Sequence, residues 1–331
     1  MTHPEITADV DLVLPSGRLN PAAVGWSRTP HHVASFKKPD LRSKKWEWWA
    51  IVTPRHVIGF TVADARYAGL VNLHILDRRT GAQTVSDVIT LCGAGVDLQE
   101  RSGSGRTQGG NTTLAIRVTQ GERTSPQVRG TTLVLDAVVD HGDRDSLGVV
   151  VPWSDKRFQY TVKDVGAPAS GTYILAGERF NFGSDGSFAV LDHGRGIWPY
   201  SMRWNWAAAA AMDGRDLALT LGGQWTDGTG ATEDGLFTGG TLHKHHDHLQ
   251  WSYDRRDWMG PWRMVGEHAD ITFPPRAPAC LPHEPPRSLH DHPPGFRHVR
   301  GVDGGQFGGP PRRRRSLRVG RGGGQPVVAS R

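Results

Sequence analysis

The densest group of side chains that could do chemistry lies at residues 191–206, where the chain reads Leu-Asp-His-Gly-Arg-Gly-Ile-Trp-Pro-Tyr-Ser-Met-Arg-Trp-Asn-Trp. Asp192 and His193 precede a Gly-X-Gly sequence that predicts a turn, and they could supply an acid and the group that orients it. The alternative is structural, with Asp192 capping that turn and Arg195 forming a salt bridge. The residue types alone leave both interpretations open.

The end of this segment has the alternation of a β-strand. Met202, Trp204 and Trp206 would lie on one face, and Arg203 and Asn205 on the other. The first face would give a ligand an aromatic wall, and the second would give it hydrogen-bond donors. Alternation does not decide which of them faces inward. The binding candidates from this segment are therefore Arg195, Trp198, Arg203, Trp204, Asn205 and Trp206.

Two further carboxylates lie close to indoles in the sequence. In Trp-Glu-Trp-Trp, Glu47 shares a strand face with Trp49, so this carboxylate is either paired with an arginine such as Arg195 or has a raised pKa. Trp225 begins the sequence Trp-Thr-Asp-Gly-Thr-Gly-Ala-Thr-Glu, which indicates a hairpin turn. Glu233, at the end of it, could face a pocket. We add Glu47 to the catalytic candidates Asp192 and His193, and we add Trp49, Trp225 and Glu233 to the binding candidates.

The sequence His-Lys-His-His-Asp-His at residues 243–248 has the residue types of a metal site. On a strand, His243, His245 and Asp247 would share a face, but side chains two residues apart are separated by about 6.5–7 Å. That spacing is wide for a single zinc ion. We expect a solvated strand edge and no metal. Phosphate-binding glycine loops, nucleophile elbows and Cys-X-X-Cys motifs do not occur, so no cofactor is expected.

The positive charge of the chain lies at its C-terminal end. Residues 274–331 contain eleven Arg and three acidic residues, a balance of +8, whereas the whole chain carries +6. Residues 1–273 therefore carry −2, which gives no electrostatic basis for binding a phosphate backbone. We expect a small apolar molecule as the partner and no nucleic acid.

Cysteine content and hydropathy bear on location. Of the two cysteines, only Cys92 precedes residue 274, so no disulfide is expected within residues 1–273. Residues 1–10 lack the basic and apolar regions of a signal peptide, and no apolar run is long enough to span a membrane. These features indicate a cytoplasmic protein without a transmembrane segment. The oligomeric state is left open.

Short runs of Val, Ile, Leu, Thr and aromatic residues, separated by Gly and Asp, indicate antiparallel strands joined by hairpins. We therefore predict a mainly β, lipocalin- or calycin-like fold of two antiparallel β-barrels or half-barrels. The alanines at 207–211 suggest a single helical turn. The predicted parts are a flexible N-terminus at 1–15, a first barrel-like domain at 16–165, a second and incomplete one at 166–273, and a disordered tail at 274–331.

The tail has the composition of a disordered segment, with 11 of the 22 Pro, 10 Gly and none of the 12 Trp. Codon degeneracy also permits residues 319–329, read one base downstream, to become Trp-Ala-Glu-Glu-Ala-Ala-Asn-Arg-Trp followed by a stop. We therefore consider the tail a possible frameshift product that replaces the closing strands of the second domain. The gene sequence tests this hypothesis.

Several segments together resemble the family called domain of unknown function 2804. They are residues 17–28, 45–50, 146–154, 158–161, 191–206, 221–233 and 258–262, and the likeness spans about residues 15–273. The resemblance implies a β-rich, lipocalin-like architecture without an established activity. Members of the family close with a segment like the shifted reading of the tail.

A more distant similarity, through Asp192-His193-Gly194 and the Trp-Asn-Trp that follows, is to the calycin-like group of carotenoid hydratases and tocopherol cyclases. That group implies Asp192 as the proton donor to an isoprenoid double bond, His193 as its orienting partner, and Trp204 or Trp206 as walls facing the cation. The predicted function is thus the binding of an isoprenoid or lipid-like ligand in a Trp-lined pocket, with acid–base chemistry on it. The alternative, suggested by paired Trp among acids and amides, is a carbohydrate-binding or carbohydrate-processing module.

Overall fold

A computed structural model describes residues 3–36, 41–257 and 260–273, together with the short strands at 300–301, 306–307, 319–320 and 325–330. Strands dominate the described chain, and the one helical element in that part of it is the 3₁₀ turn Pro21–Ala23. The mainly β prediction is therefore confirmed. Most of residues 274–331, for which the sequence predicts disorder, lie outside the described residues.

The strands follow one another with short connections. In chain order they are β1 Val10–Asp11, β2 Trp26–Ser27, β3 His32–Val33, β4 Ser43–Val52, β5 His56–Asp64, β6 Ala68–Asp77, β7 Gln83–Leu91, β8 Val96–Asp97, β9 Gly105–Gly110, β10 Leu114–Gln120, β11 Ser125–Gly130, β12 Leu133–Val139, β13 Leu147–Ser154, β14 Arg157–Leu175, β15 Glu178–Phe182, β16 Phe188–Ile197, β17 Asn205–Ala210, β18 Leu217–Gly223, β19 Asp234–Thr238, β20 Thr241–His245, β21 Gln250–Ser252, β22 Trp262–Val265, β23 Asp270–Phe273, β24 Arg300–Gly301, β25 Gln306–Phe307, β26 Val319–Gly320 and β27 Gln325–Ser330.

Fourteen of the described strands form one large sheet. Its main path runs β7-β6-β5-β4-β16-β14-β12-β11-β10-β9-β8, with β13, β15 and β2 paired at its side. The sheet curls so that β8 and β9 lie against β5 and β6. The concave side encloses apolar side chains from nearly every strand, among them Phe60, Ile116 and Leu135. This curled sheet is the half-barrel that the strand pattern predicts.

A second group of strands packs on the other face of the large sheet. Strands β20-β19-β18-β17-β27-β24 form one sheet, and β21-β22-β23 form another. One hydrophobic core lies between β17–β18 and the large sheet, and a further core lies between β17–β18 and β21–β23. Strand β17 is therefore covered on both sides.

The alanines at 207–211 do not form the predicted helical turn. Residues 205–210 are strand β17, which pairs with β18 and β27. Ala208 and Ala210 face the large sheet, and Ala207 and Ala209 face β21–β23. Small side chains let both layers approach the strand closely, and this packing overrides the helix propensity of alanine.

Two of the predicted domain limits fall on continuous structure. Strand β14 runs through the limit between residues 165 and 166, with an irregularity in its pairing to β16 between Val165 and Ala167. In the first fifteen residues, β1 pairs with β3, and Leu12 is fully buried against β13 and β14. The division into domains itself stays a prediction.

Among the described residues there is no helix long and apolar enough to cross a membrane.

Candidate functional site

Strands β4, β16 and β14 lie side by side in the middle of the large sheet and carry most of the candidate residues. Asp192 is in register with Trp48 on β4 and with Lys163 on β14, whereas His193 is in register with Glu47. Because side chains alternate along a strand, Asp192 and His193 point to opposite faces. The candidates therefore form two separate groups.

The glycines after His193 do not form the predicted turn, because β16 continues through them to Ile197. They provide space in the sheet. A Cβ on Gly194 would lie 2.0 Å from the Trp46 ring, and a Cβ on Gly196 would lie 2.3 Å from Oε1 of Gln159. The ring of Trp46 therefore packs directly on the backbone of the neighbouring strand.

The first group lies between the large sheet and the second group of strands, and it contains an ammonium ion between two carboxylates. Lys163 Nζ donates to Asp192 Oδ1 at 2.6 Å and lies 3.6 Å from Glu233 Oε1. The side chains of Lys163 and Glu233 are almost completely buried, and that of Asp192 is 13% exposed. We call these three residues the acid–lysine cluster.

Glu233 is the residue just before β19, and its side chain extends into the acid–lysine cluster. Its Oε2 accepts a hydrogen bond from Trp225 Nε1 at 2.7 Å, while Oε1 has no hydrogen-bond partner among the described residues. Burial raises the pKa of Glu233, Lys163 acts against this, and the charge of Asp192 adds to it. Gly222 makes room for the side chain, since a Cβ there would lie 2.7 Å from Glu233. The pKa of Glu233 is thus higher than that of an exposed glutamate.

Indole rings surround the acid–lysine cluster. Lys163 Nζ lies 4.6 Å from the ring centroid of Trp206 and 5.8 Å from that of Trp225. Trp198 and Trp204 each pack against Trp225, with centroids 6.1 Å apart, and Trp48 packs edge-on against Trp206 at 5.7 Å. Trp198 and Trp204 are half-buried. We call these five residues the tryptophan cluster.

The second group lies on the opposite face of the sheet, inside the half-barrel. Glu47 accepts hydrogen bonds from His193 Nδ1 at 3.0 Å, from Gln120 at 2.8 Å and from Gln99. Arg195 is fully buried, and it donates to the backbone carbonyls of residues 46, 99 and 194 at 2.8 Å each. The donors from His193, Gln120 and Gln99 thus satisfy both oxygens of the Glu47 carboxylate.

The protonation states in this second group follow from burial and charge. Burial and the nearby Arg195 lower the pKa of His193 to about 4, so the imidazole is neutral at pH 7. Burial alone would raise the pKa of Glu47, but the hydrogen bond from His193 and the charge of Arg195 lower it. The hydrogen bond from the neutral imidazole and the nearby charge of Arg195 thus stabilise the ionised form of Glu47.

The structure thus brings some predicted residues together and separates others. Asp192 and Glu233 meet at the tryptophan cluster, and Lys163, which sequence reasoning missed, joins them. Glu47, Trp49, His193 and Arg195 lie on the other face of the sheet, Asn205 lies on the opposite face of β17 from Trp206, and Arg203 is exposed. The signal for Lys163 is a single lysine within the apolar strand Tyr-Thr-Val-Lys-Asp-Val at residues 160–165.

The histidine tract behaves mostly as a polar edge. His243 is exposed and bonds to Thr238 at 2.7 Å. Asp247, Glu267 and His268 bring potential metal-ligating atoms within 4.8 Å of one another. The 2.5 Å hydrogen bond between His268 and Asp247 accounts for part of this arrangement without a metal.

Comparison with known proteins finds a family for most of the chain before the Pro- and Arg-rich C-terminal end. The model of the family "domain of unknown function (DUF2804)" matches residues 3–280. The chain belongs to this family. The match begins before residue 15 and ends after residue 273, so it is slightly longer than the resemblance in the sequence indicates. A search of curated proteins finds no match.

Three solved structures are similar to about 70% of the chain at low sequence identity. Kievitone hydratase from Nectria haematococca is 10% identical, with a TM-score of 0.46, and 69% of this chain covers 74% of that one. An AttH-like protein from Nitrosomonas europaea is 12% identical, with a TM-score of 0.47 and coverages of 71% and 80%. CghA in complex with Sch210972 is 9% identical, with a TM-score of 0.43 and coverages of 72% and 72%. Likenesses at this level carry no argument about activity.

Proposed function

We propose that this DUF2804 protein binds an apolar, isoprenoid- or lipid-like molecule at the tryptophan cluster, and that Glu233 acts on it as a general acid. One observation carries the proposal: a buried carboxyl group with a raised pKa has one oxygen that accepts no hydrogen bond among the described residues, and it lies beside indole rings. A raised pKa brings a carboxyl group closer to neutral pH and so makes it a better proton donor there than an exposed glutamate.

The surroundings of Glu233 favour an apolar ligand. Trp198, Trp204 and Met202 lie in the segment between β16 and β17, pack on the core beneath and are half-buried. A ligand that inserts between this segment and the core beneath it would meet indole faces on several sides. Apolar surface supplies most of the binding free energy in such sites, and a few polar groups fix the orientation.

The tryptophan cluster also has the electrostatic character that a carbocation needs. The faces of Trp206 and Trp225 already lie next to a cation, the Lys163 ammonium. Proton transfer from Glu233 to a carbon–carbon double bond would leave a carboxylate on the protein and a cation on the ligand. Addition of water to the cation, followed by loss of one of the water protons, would give a hydration product. Attack of a second double bond on the cation, followed by loss of a carbon-bound proton, would give a cyclisation product. In both cases the released proton can return Glu233 to its acid form.

The proposal assigns different roles to the two carboxylates at the cluster. Asp192 forms an ion pair with Lys163, so its role is to hold the ammonium in place, and the acid role passes from Asp192 to Glu233. His193 faces the interior of the half-barrel and therefore does not orient Asp192. Glu47 and His193 are positioning residues that keep β4 and β16 in register.

Quenching of tryptophan fluorescence tests the binding step. Retinol and a linear polyene should quench the emission saturably at micromolar concentration, and Trp204→Ala should weaken the binding at least about tenfold, or about 1.4 kcal/mol. Trp251→Ala is the matched control, because Trp251 packs on the far side of β17–β18. Glu233→Gln should bind the ligand but not convert it. Absence of saturable quenching, or equal effects of the two Trp variants, would contradict the proposal.

Two further parts of the proposal concern the surroundings of the protein. We propose that it acts in the cytoplasm, because Cys92 is a free thiol and residues 1–273 offer no second cysteine for a disulfide. We also propose that nucleic acid is not a partner, since residues 1–273 carry a net charge of −2.

A further inference from the structure

An open cleft of about 720 Å³ lies away from the acid–lysine cluster, where the end of β18 and the start of β17 meet the β21 strand. Among the residues that line it are Asn205, Gln224, Gln250, Trp251, Ser252 and Tyr253. Its volume falls within the range of small-molecule sites, about 300–1,000 Å³. Asn205 and Trp206 lie on opposite faces of β17, so this cleft and the tryptophan cluster are separate.

The floor of the cleft holds a buried amide with hydrogen-bonding capacity to spare. Asn205 is 1% exposed, and its Oδ1 accepts a hydrogen bond from the Tyr253 hydroxyl at 3.2 Å. Its Nδ2 has no hydrogen-bond partner among the residues that the structure describes. A buried amide N–H without an acceptor destabilises the fold, and a ligand with an acceptor oxygen would remove that cost.

A second amide extends the same hydrogen-bonded chain. Gln224 Nε2 lies 3.3 Å from the Tyr253 hydroxyl, so the chain runs from Gln224 through Tyr253 to Asn205. Gln224 has a φ of 67°, a conformation that costs energy in a residue with a Cβ. Asp227 helps to hold it there by accepting the Gln224 backbone N–H at 3.2 Å. The amide is thus fixed at the wall of the cleft.

Aromatic rings and the local charges define the rest of the recognition surface. Trp251 is half-buried, and its Nε1 donates to the Gly222 carbonyl at 3.2 Å, which fixes the plane of the indole. At the rim, the exposed Asp227 carboxylate and the exposed Arg255 guanidinium have opposite charges. Together they favour neither an anion nor a cation.

We propose that this cleft binds a neutral hydroxylated ligand of the sugar class, with Asn205 and Gln224 contacting its oxygens and Trp251 packing on its C–H face. Amides and hydroxyl groups pair with the many donors and acceptors of a sugar, whereas an apolar ligand would leave them unsatisfied. This site is independent of the apolar ligand at the tryptophan cluster. The chain would therefore recognise two chemically different molecules, or two parts of one amphiphilic molecule.

A glycan array followed by isothermal titration calorimetry with the full chain tests the proposal. We expect neutral glycans to be retained, and maltose or cellobiose to give saturable heat at millimolar concentration. Trp251→Ala should weaken the sugar at least about tenfold, whereas Trp204→Ala should leave it unchanged. In polyene quenching the two variants exchange roles, since Trp204→Ala should weaken binding and Trp251→Ala should not. The two proposed sites are therefore tested independently.

A second variant protects the experiment against misfolding of Trp251→Ala. Gln224 has a φ of 67°, which glycine adopts without strain, so Gln224→Gly should fold, should remove one of the two amides and should bind sugar more weakly than the unchanged protein. The proposal is overturned by an array that retains only charged glycans, by absence of saturable heat with either disaccharide, or by sugar binding that both cleft variants leave intact.

Discussion

Replacing Lys163 by methionine tests whether the acid–lysine cluster is held together by its one ammonium. Lys163 is 1% exposed at the side chain and lies between Asp192 and Glu233, at 2.6 Å and 3.6 Å. Methionine keeps most of the side-chain volume but removes the charge, which leaves two buried carboxyl groups facing each other. Removal of one partner from a buried ion pair costs about 3–5 kcal/mol of stability. We expect a loss in that range at pH 7.

The matched control is an ion pair of the same length at the surface. Arg18 donates to Asp155 at 2.6 Å, but both side chains are more than half exposed. Arg18→Met should therefore cost less than about 1 kcal/mol, because water already solvates both groups. Urea unfolding followed by tryptophan fluorescence gives the free energy of unfolding for both variants.

A double variant shows where the cost of Lys163→Met arises. Glu233→Gln keeps a carbonyl oxygen for Trp225 Nε1 and removes one of the two facing acids. The pair Lys163→Met with Glu233→Gln should thus be more stable than Lys163→Met alone. If Lys163→Met costs no more than Arg18→Met, or if Glu233→Gln recovers nothing, the electrostatic account of the cluster is wrong.

The remaining predictions concern pH and packing. Burial lowers the pKa of His32 and of His193 to about 4, below the ordinary 6.5, so the unfolded chain binds more protons than the folded one between these values. The free energy of unfolding should therefore fall as the pH drops from about 6.5 to 4, by up to about 3 kcal/mol for each histidine. His193→Gln should make this dependence on pH less steep, and urea unfolding at several pH values measures it. An unchanged slope would contradict the assignment. Gly194→Ala places a Cβ 2.0 Å from the Trp46 ring and should cost about 1–3 kcal/mol or more, whereas Gly121→Ala, with nothing within 4 Å of its Cβ, should stay within about 0.5 kcal/mol. Thermal unfolding measures both, and equal melting temperatures would show that the Trp46 ring moves aside at no cost.

Local sequence signals were sufficient for many of the elements. Residues 46–53, 57–63 and 70–76 are runs of β-branched and aromatic residues, a pattern that predicts strands, and they correspond to β4, β5 and β6. The alternation of polar and aromatic residues predicts the start of β17 at Asn205 and Trp206, but the alanines that follow carry no strand signal of their own and suggest a helical turn. The conformation of β17 depends on two layers that close over it from distant parts of the chain.

The candidate functional site, too, could be predicted only in part from local sequence. Asp192 and His193 are neighbours in the sequence, and interpreting the following glycines as a turn suggested that the two act together. In the structure these glycines continue the strand, since they leave space for Trp46 and Gln159, and alternation then separates the two side chains. The information needed was the packing of β4 and β14 against β16.

The sequence by itself determined the class of fold, the family, and the concentration of tryptophan and carboxylates before residue 274, because composition and alternation are local properties. Only the tertiary structure decided which acids meet. Lys163, Asp192 and Glu233 lie up to 70 positions apart in the sequence. Register and sheet packing place Lys163 Nζ 2.6 Å from Asp192 Oδ1 and 3.6 Å from Glu233 Oε1. Burial then raises the pKa of Glu233, and burial is a property of the assembled layers that no single segment carries.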